Sequence, residues 1–361
     1  MKPFTFQELD KPSLFKSIFG LRSKKNLPKE LNNALSEKDD FSNSLIVKAN
    51  SLWDKYKMDA PSNEIQADIE AIYQKLLRHY LTEGEITLEK HHDLDKLKEM
   101  LRLDSSEVER IYKRTSEARL SEIIEERLLK GRFENEDQKI LDLFQDQHNI
   151  PEERKAAIFK DLAKSNIIEY LEKALDNERY SPSDQQEIEA RIESFDLDFE
   201  ILNDYKGKCE LYNLYWQLEN GKLDGIQVDI KLTKNEECYF HTDIDWYELR
   251  KVKKRLDYIG ASGRVKIAKG IYIRSGSFKG GVKSEDQLQK IDSGHLYLTN
   301  KRLIFTGNKG NKNIRLNKIL NFKVYSDGVE IVKDTGKSPV LIFDSNINSF
   351  SILLNRAIDE Y

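Results

Sequence analysis

Apolar residues keep two different periods along this chain. From about Leu31 to Leu218 they recur every three or four positions, the spacing that lines one face of a helix. Ile65, Ile69, Ile72, Leu76 and Leu77 form the first clear series, and Pro61-Ser62-Asn63 ahead of it reads as a helix start. Past Trp216 the period shortens. Ile226, Val228, Ile230 and Leu232 alternate with polar residues just after Gly221 and Gly225, and further alternating runs predict strands over 238–249, 264–268, 270–275, 313–316, 319–325, 329–333 and 339–343. Gly294 to Phe305 predicts a β-hairpin, with Leu296 and Leu298 facing Leu303 and Phe305 across Thr299-Asn300-Lys301. Asp327-Gly328 is a second tight-turn signal. Asp344 or Ser345 is expected to cap a last helix, with Ile347, Phe350, Leu353, Leu354, Ala357 and Ile358 on one stripe.

The helical half also repeats itself. At an offset of 47 residues, without gaps, Tyr73, Leu120, Ile167 and Leu214 fall in one column. Further columns are Leu77, Ile124 and Leu171, then Leu81, Leu128 and Leu175, then Ile86, Phe133 and Tyr180. Leu94, Leu141 and Ile188, Leu103, Ile150 and Leu197, and Ile111, Ile158 and Tyr205 complete the set. Each unit is expected to run helix, tight polar turn, inward-pointing residue, capped helix and a third, weaker helix. Units of this size can stack so that each buries its neighbour's face. Their turns lack the alternating oxygen ligands and terminal Glu of a calcium loop.

With 361 residues the chain has room for two or three domains. The expected division is a tail and leading helix over 1–60, an all-helical domain of three repeats over 61–222, and a β-rich domain over 223–361. The small net charge of −4 hides an asymmetry: residues 235–361 hold 22 Lys and Arg against 15 Asp and Glu, or +7, leaving −11 upstream. Cys209 and Cys238 form neither a disulfide framework nor a zinc pattern, so a reducing, cytoplasmic location is expected. No apolar run approaches the roughly 20 residues of a spanning helix. Leu14, Phe15, Ile18, Phe19 and Leu21 make a short basic amphipathic cluster, whose alternatives are docking on its own protein or touching an anionic membrane.

The run G-H-L-Y-L-T-N-K-R-L-I-F, followed by I-R-L-N-K-I-L, Y-S-D-G-V-E-I, a strand and a terminal helix, resembles the GRAM domain, a member of the pleckstrin-homology superfold, over residues 236–361. The resemblance implies an α+β multidomain chain: an all-α helical-repeat part, then a partly open β-barrel capped by a C-terminal helix. It implies binding of anionic lipid in some members and of proteins in others. The helical units in turn resemble tellurite-resistance-type helical domains, a likeness that carries no site.

The candidate anion-binding residues are Arg250, Lys251, Lys253, Lys254 and Arg255, then Arg264, Lys266 and Lys269. In lipid-binding pleckstrin-homology domains, cations in an early connection grip phosphates, and this run falls in a comparable place. Only Arg264-Val265-Lys266 keeps that family's alternation. Each Lys or Arg near an anionic membrane contributes about 1 kcal/mol. Nucleic acid, with Tyr258 and Tyr272 for stacking, is a third reading, opposed by the acidic half. The enzymatic alternative rests on His241, Asp243 and Asp245, which share one face of a strand. His91 and His92 diverge by roughly 100° on a helix and cannot share a metal. No nucleophile, base and orienter set completes a catalytic site, so the sequence reads as a non-enzymatic adaptor without cofactor or metal. Its expected partner is a protein, with peripheral contact to the inner face of a membrane as the other branch. The 275–292 stretch, with Gly276, Gly280 and Gly281, is expected to be an inserted loop.

Overall fold

The structure is a computed structural model that describes residues 3–11, 23–37, 41–253, 265–268, 271–273 and 284–361; of 251–253, 265–268, 271–273 and 284–286 it describes the backbone alone. The cluster from Leu14 to Leu21 lies outside these residues. The chain divides into two compact units, Met1–Leu171 with Gln186–Leu202, and Glu172–Gln185 with Asn203–Tyr361. The protein is α+β, with helices through the N-terminal part and antiparallel strands near the C-terminus.

The helices are α1 (Asn26–Ser36), α2 (Asn43–Tyr56), α3 (Gln66–Glu83), α4 (Leu88–Leu101), α5 (Ser105–Leu128), α6 (Asn135–His148), α7 (Glu152–Leu175) and α8 (Pro182–Ser194). Helices α4, α6 and α8 begin at 88, 135 and 182, and α5 and α7 at 105 and 152, each 47 positions after its counterpart. Backbone conformation keeps the same interval. The short helices end on Arg102, Asn149 and Asp196, all left-handed. The N–H of the next residue, Leu103, Ile150 or Leu197, then returns to a carbonyl in the last turn, which satisfies an otherwise orphaned acceptor. Lys57 and Met58 end α2 in the same way, 45 positions before Arg102 and Leu103. The long helices close on Gly84, Gly131 and Glu178, again at positive φ.

The third, weaker helix of each unit does not exist as a separate element. Residues 105–128 and 152–175 are single helices of 24 residues. No Gly or Pro interrupts them, and Asp104 sets the start of α5 by a capping box with Glu107. Each unit is therefore a short helix and a long one. Short α2 lies against short α4 and long α3 against long α5. Trp53 is fully buried on α2, and its indole N–H donates to the Met100 carbonyl at 2.9 Å. The columns of Leu77, Ile124 and Leu171 and of Leu81, Leu128 and Leu175 are buried throughout, whereas Leu214, fourth in its column, is 43% exposed.

Among the described residues the second unit holds α9 (Lys206–Asn220), nine strands and α10 (Ile347–Asp359), and a 3-10 turn at Phe199–Tyr205 straddles the division of the chain at Leu202. The strands are β1 (Cys238–Lys253), β2 (Val265–Ala268), β3 (Ile271–Ile273), β4 (Ser284–Thr299), β5 (Arg302–Gly307), β6 (Asn311–Arg315), β7 (Ile319–Val324), β8 (Gly328–Lys333) and β9 (Pro339–Phe343). Seven form one antiparallel sheet in the order β6-β5-β4-β1-β9-β8-β7, and β2 and β3 pair separately. The hairpin at 294–305 is β4 and β5, with Leu296 opposite Phe305 and Leu298 opposite Leu303, all four buried. They join Ile244, Trp246, Phe343 and the inner stripe of α10 (Phe350, Leu353, Leu354, Ala357) in one core. Helix α9 packs on α10, where Arg356 donates to the carbonyls of Leu218 and Gly221 at 3.0 and 2.6 Å.

Three local expectations fail. Ile226 to Leu232 form no strand; Ile226 makes one isolated bridge to Cys238 and is 40% exposed, and among the described residues no strand completes a ladder with it. The 275–292 stretch is not a loop throughout, since β4 begins at Ser284; Gly276, Gly280 and Gly281 lie outside the described residues. Asn346, in the left-handed conformation, precedes α10 without any side-chain cap, so Asp344 and Ser345 do not cap it. Among the described residues no helix is long and apolar enough to cross a membrane.

Candidate functional site

Strand β1 is 16 residues long and pairs with β4 along its length, but with β9 only from Ile244 to Glu248. On the other side, β5 covers β4 only from Gly294 to Leu298. Among the described residues Leu249–Lys253 and Ser284–Leu288 therefore have only each other as sheet neighbours. They form a two-stranded extension leaving the seven-stranded sheet just past a bulge at Trp246 and Tyr247, a feature that bends and twists a strand.

The candidate cations sit on this extension and in the connection beyond it. Arg250 is exposed opposite Gln287, 3.8 Å from Glu248. Lys251 and Lys253 are in backbone register with Asp286 and Ser284, and Lys266 with Tyr272. Lys254, Arg255, Arg264 and Lys269, with Tyr258, lie outside the described residues.

The residues of the enzymatic alternative stand lower on β1, alternating with buried Ile244 and Trp246. His241 stacks on Tyr297 with ring centroids 6.0 Å apart. Asp243 pairs with His295 directly across the ladder. Asp245 accepts from Lys290 Nζ at 2.6 Å and from Ser293 Oγ at 2.7 Å. Burial pulls its carboxyl upward, but these two donors and the ammonium charge outweigh it and hold the group below the usual carboxylate range.

A surface groove of about 470 Å³ runs past Asp243 and Asp245 but not His241, lined also by Ser293, His295, Asn308 and Asp344. Among the described residues no three His, Cys, Asp or Glu side chains converge as metal ligands. Sequence reasoning missed Ser293, His295 and Asp344. Their only signal is the register of β4 and β9 against β1, which depends on pairing between segments about 50 to 100 residues apart. No protein-family model and no curated protein matches the chain.

Proposed function

We propose that the protein is a non-enzymatic adaptor whose acidic helical repeats act as an interaction scaffold and whose basic, GRAM-like unit docks on a negatively charged surface. The observation that carries this reading is the β1–β4 extension, which lifts Arg250, Lys251 and Lys253 beyond the cover of β9 and β5 and leads into the basic connection. A charge run on a packed strand would be a solvated face; on a two-stranded extension it can meet a surface. The strand order, with α10 packed inside, supports a partly open pleckstrin-homology-type barrel. In this reading the protein works in the cytoplasm, peripheral to a membrane or bound to an acidic protein face. His241, Asp243 and Asp245 then serve cross-strand packing and pairing, which their contacts with Tyr297, His295, Lys290 and Ser293 support. Flotation with anionic vesicles, for wild type and for charge reversals at Lys253, Lys254 and Arg255, separates the branches. If wild type ignores anionic vesicles at low salt, the lipid branch is lost and docking on protein remains.

A further inference from the structure

A cleft of about 760 Å³ opens within the helical unit between α7 and the segment that follows α8. The repeat shows what occupies the same place 47 positions earlier. There Tyr112 on α5 hydrogen-bonds to His148 Nδ1, at the end of α6, at 2.8 Å, and Arg154 donates to Glu117 at 3.0 Å. The counterparts of these four residues are Phe159, Phe195, Ile201 and Lys164, and all four line the cleft. Neither new pair can make a polar tie. Phe159 instead meets Phe133 edge to face, with centroids 4.7 Å apart. Two ties that close one unit on the next are thus missing where the cleft opens.

The floor is apolar, built on Phe133, Phe159 and Leu141, and the rim is charged with its signs separated. Lys160 and Lys164 stand about one turn apart on α7, while Asp196, Asp198 and Glu200 line the segment past α8. Among the described residues none of these five forms an ion pair, whereas Lys155, buried in the same cleft, is held by Asp142 at 2.6 Å and Glu152 at 3.0 Å. Unpaired charge of opposite sign on two walls of an apolar trough matches a chain that carries an apolar anchor between an acidic and a basic residue. The volume lies in the range of ordinary ligand pockets and exceeds that of one side chain.

We propose that this cleft binds a short peptide segment of a partner protein, with an aromatic or leucine side chain on Phe133 and Phe159 and an acidic residue against Lys160 and Lys164. The proposal is independent of what the sheet-bearing unit docks on.

The test is selection of random dodecapeptides displayed on phage against the full-length protein, followed by titration of the enriched peptides into three proteins. These are wild type, Ala156→Trp, which fills the cleft from an exposed helical position, and Lys160→Glu/Lys164→Glu. Enriched peptides should share an apolar anchor next to an acidic residue. Their affinity should fall about tenfold or more in each variant, a loss of the size that follows removal of an anchor or charge pair. Thermal melting checks that each variant is folded, and the doubly reversed protein, altered only on the surface, carries the test if Ala156→Trp is not. Failure to enrich any peptide, or equal binding to wild type and both variants, overturns the proposal. Self-association of wild type that Ala156→Trp abolishes also overturns it, because the occupant is then a second copy.

Discussion

The Arg302 guanidinium donates two hydrogen bonds to the Glu236 carboxylate, at 2.8 and 3.0 Å, across the mouth of the β4–β5 hairpin. Thr233 and Thr299 hydroxyls donate to the same carboxylate, and Asn300 and Lys301 bond the backbone of 234–237, so the segment before β1 is clasped to the hairpin turn. Burial works against the charge, but the Arg302 fork and the threonine donors overcome it and hold the Glu236 carboxyl at about 2. A carboxyl depressed in the folded state adds stability above its unfolded value near 4.5, and that stability is lost as pH falls toward 2. The interaction is worth about 3 kcal/mol at neutral pH by this linkage. Glu236→Gln should lose an amount of this order at pH 7 and much less at pH 3, measured by urea unfolding. An equal loss at both would show that the charge does not matter.

Tyr112 and His148 make the matching argument in the helical unit. His148 is 6% exposed, rests on Phe144 with centroids 4.4 Å apart, and has a buried Nε2 with no hydrogen-bond partner among the described residues. Burial, with a smaller effect from His91, holds the imidazole below its ordinary value of 6.5. The unfolded chain then binds the proton more readily, so stability from this site is full above 6.5 and declines as pH falls from there toward the folded value. His148→Phe should weaken the dependence between pH 7.5 and 5.5, while at pH 7.5 it costs roughly 1–2 kcal/mol because the Tyr112 hydroxyl loses its partner. Adding Tyr112→Phe, which gives the residue types of the counterpart positions Phe159 and Phe195, should recover part of that cost. A double-mutant cycle with no coupling would contradict the contact.

Gly294 is held by close approach. A Cβ there would stand 2.2 Å from the Thr306 carbonyl oxygen on β5. Gly294→Ala should therefore force the hairpin apart and destabilise the protein by roughly 1–3 kcal/mol, as overpacking of a tight site does. Equal melting temperatures for the variant and wild type would refute this.

Arg356 ties α10 to the C-terminal end of α9 through the free carbonyls of Leu218 and Gly221. Arg356→Met keeps the apolar stem and removes the donors, and should cost about 1–3 kcal/mol by leaving half-buried acceptors unpaired. Hydrogen exchange should show faster exchange at the end of α9 before any change in β4 or β5. Unchanged protection there would remove the role.

Much of this architecture was legible residue by residue. Leu296, Leu298, Leu303 and Phe305 announced a hairpin because one face is buried and a polar turn separates them. The 47-residue period was legible because most of its column positions, such as Leu77, Ile124 and Leu171, are core positions. The ending that α2 shares went unseen, since a two-residue shorter interval breaks the register even though the backbone closes identically at Lys57. The β1–β4 extension was invisible for a different reason. Leu249 to Lys253 and Ser284 to Leu288 carry no alternating apolar face, and backbone ladder bonds define the pair. The reverse holds for Ile226 to Leu232, where alternation exists but, among the described residues, a single bridge from Ile226 to Cys238 is all that forms. Of the candidate site, the charge run could be read directly, whereas the Asp243–His295 and Asp245–Lys290 pairs needed a register between distant segments.

The docking role is tested most directly by the binding of full-length protein to phosphatidylserine-containing vesicles as salt is raised. Wild type should bind at low ionic strength and release progressively as the Debye length shrinks from about 30 Å at 0.01 M to 10 Å at 0.1 M. Reversal of Arg250, Lys251 and Lys253, the cations on the described part of the extension, should abolish binding without lowering the melting temperature. Wild-type binding that survives this reversal unchanged would contradict docking through the extension.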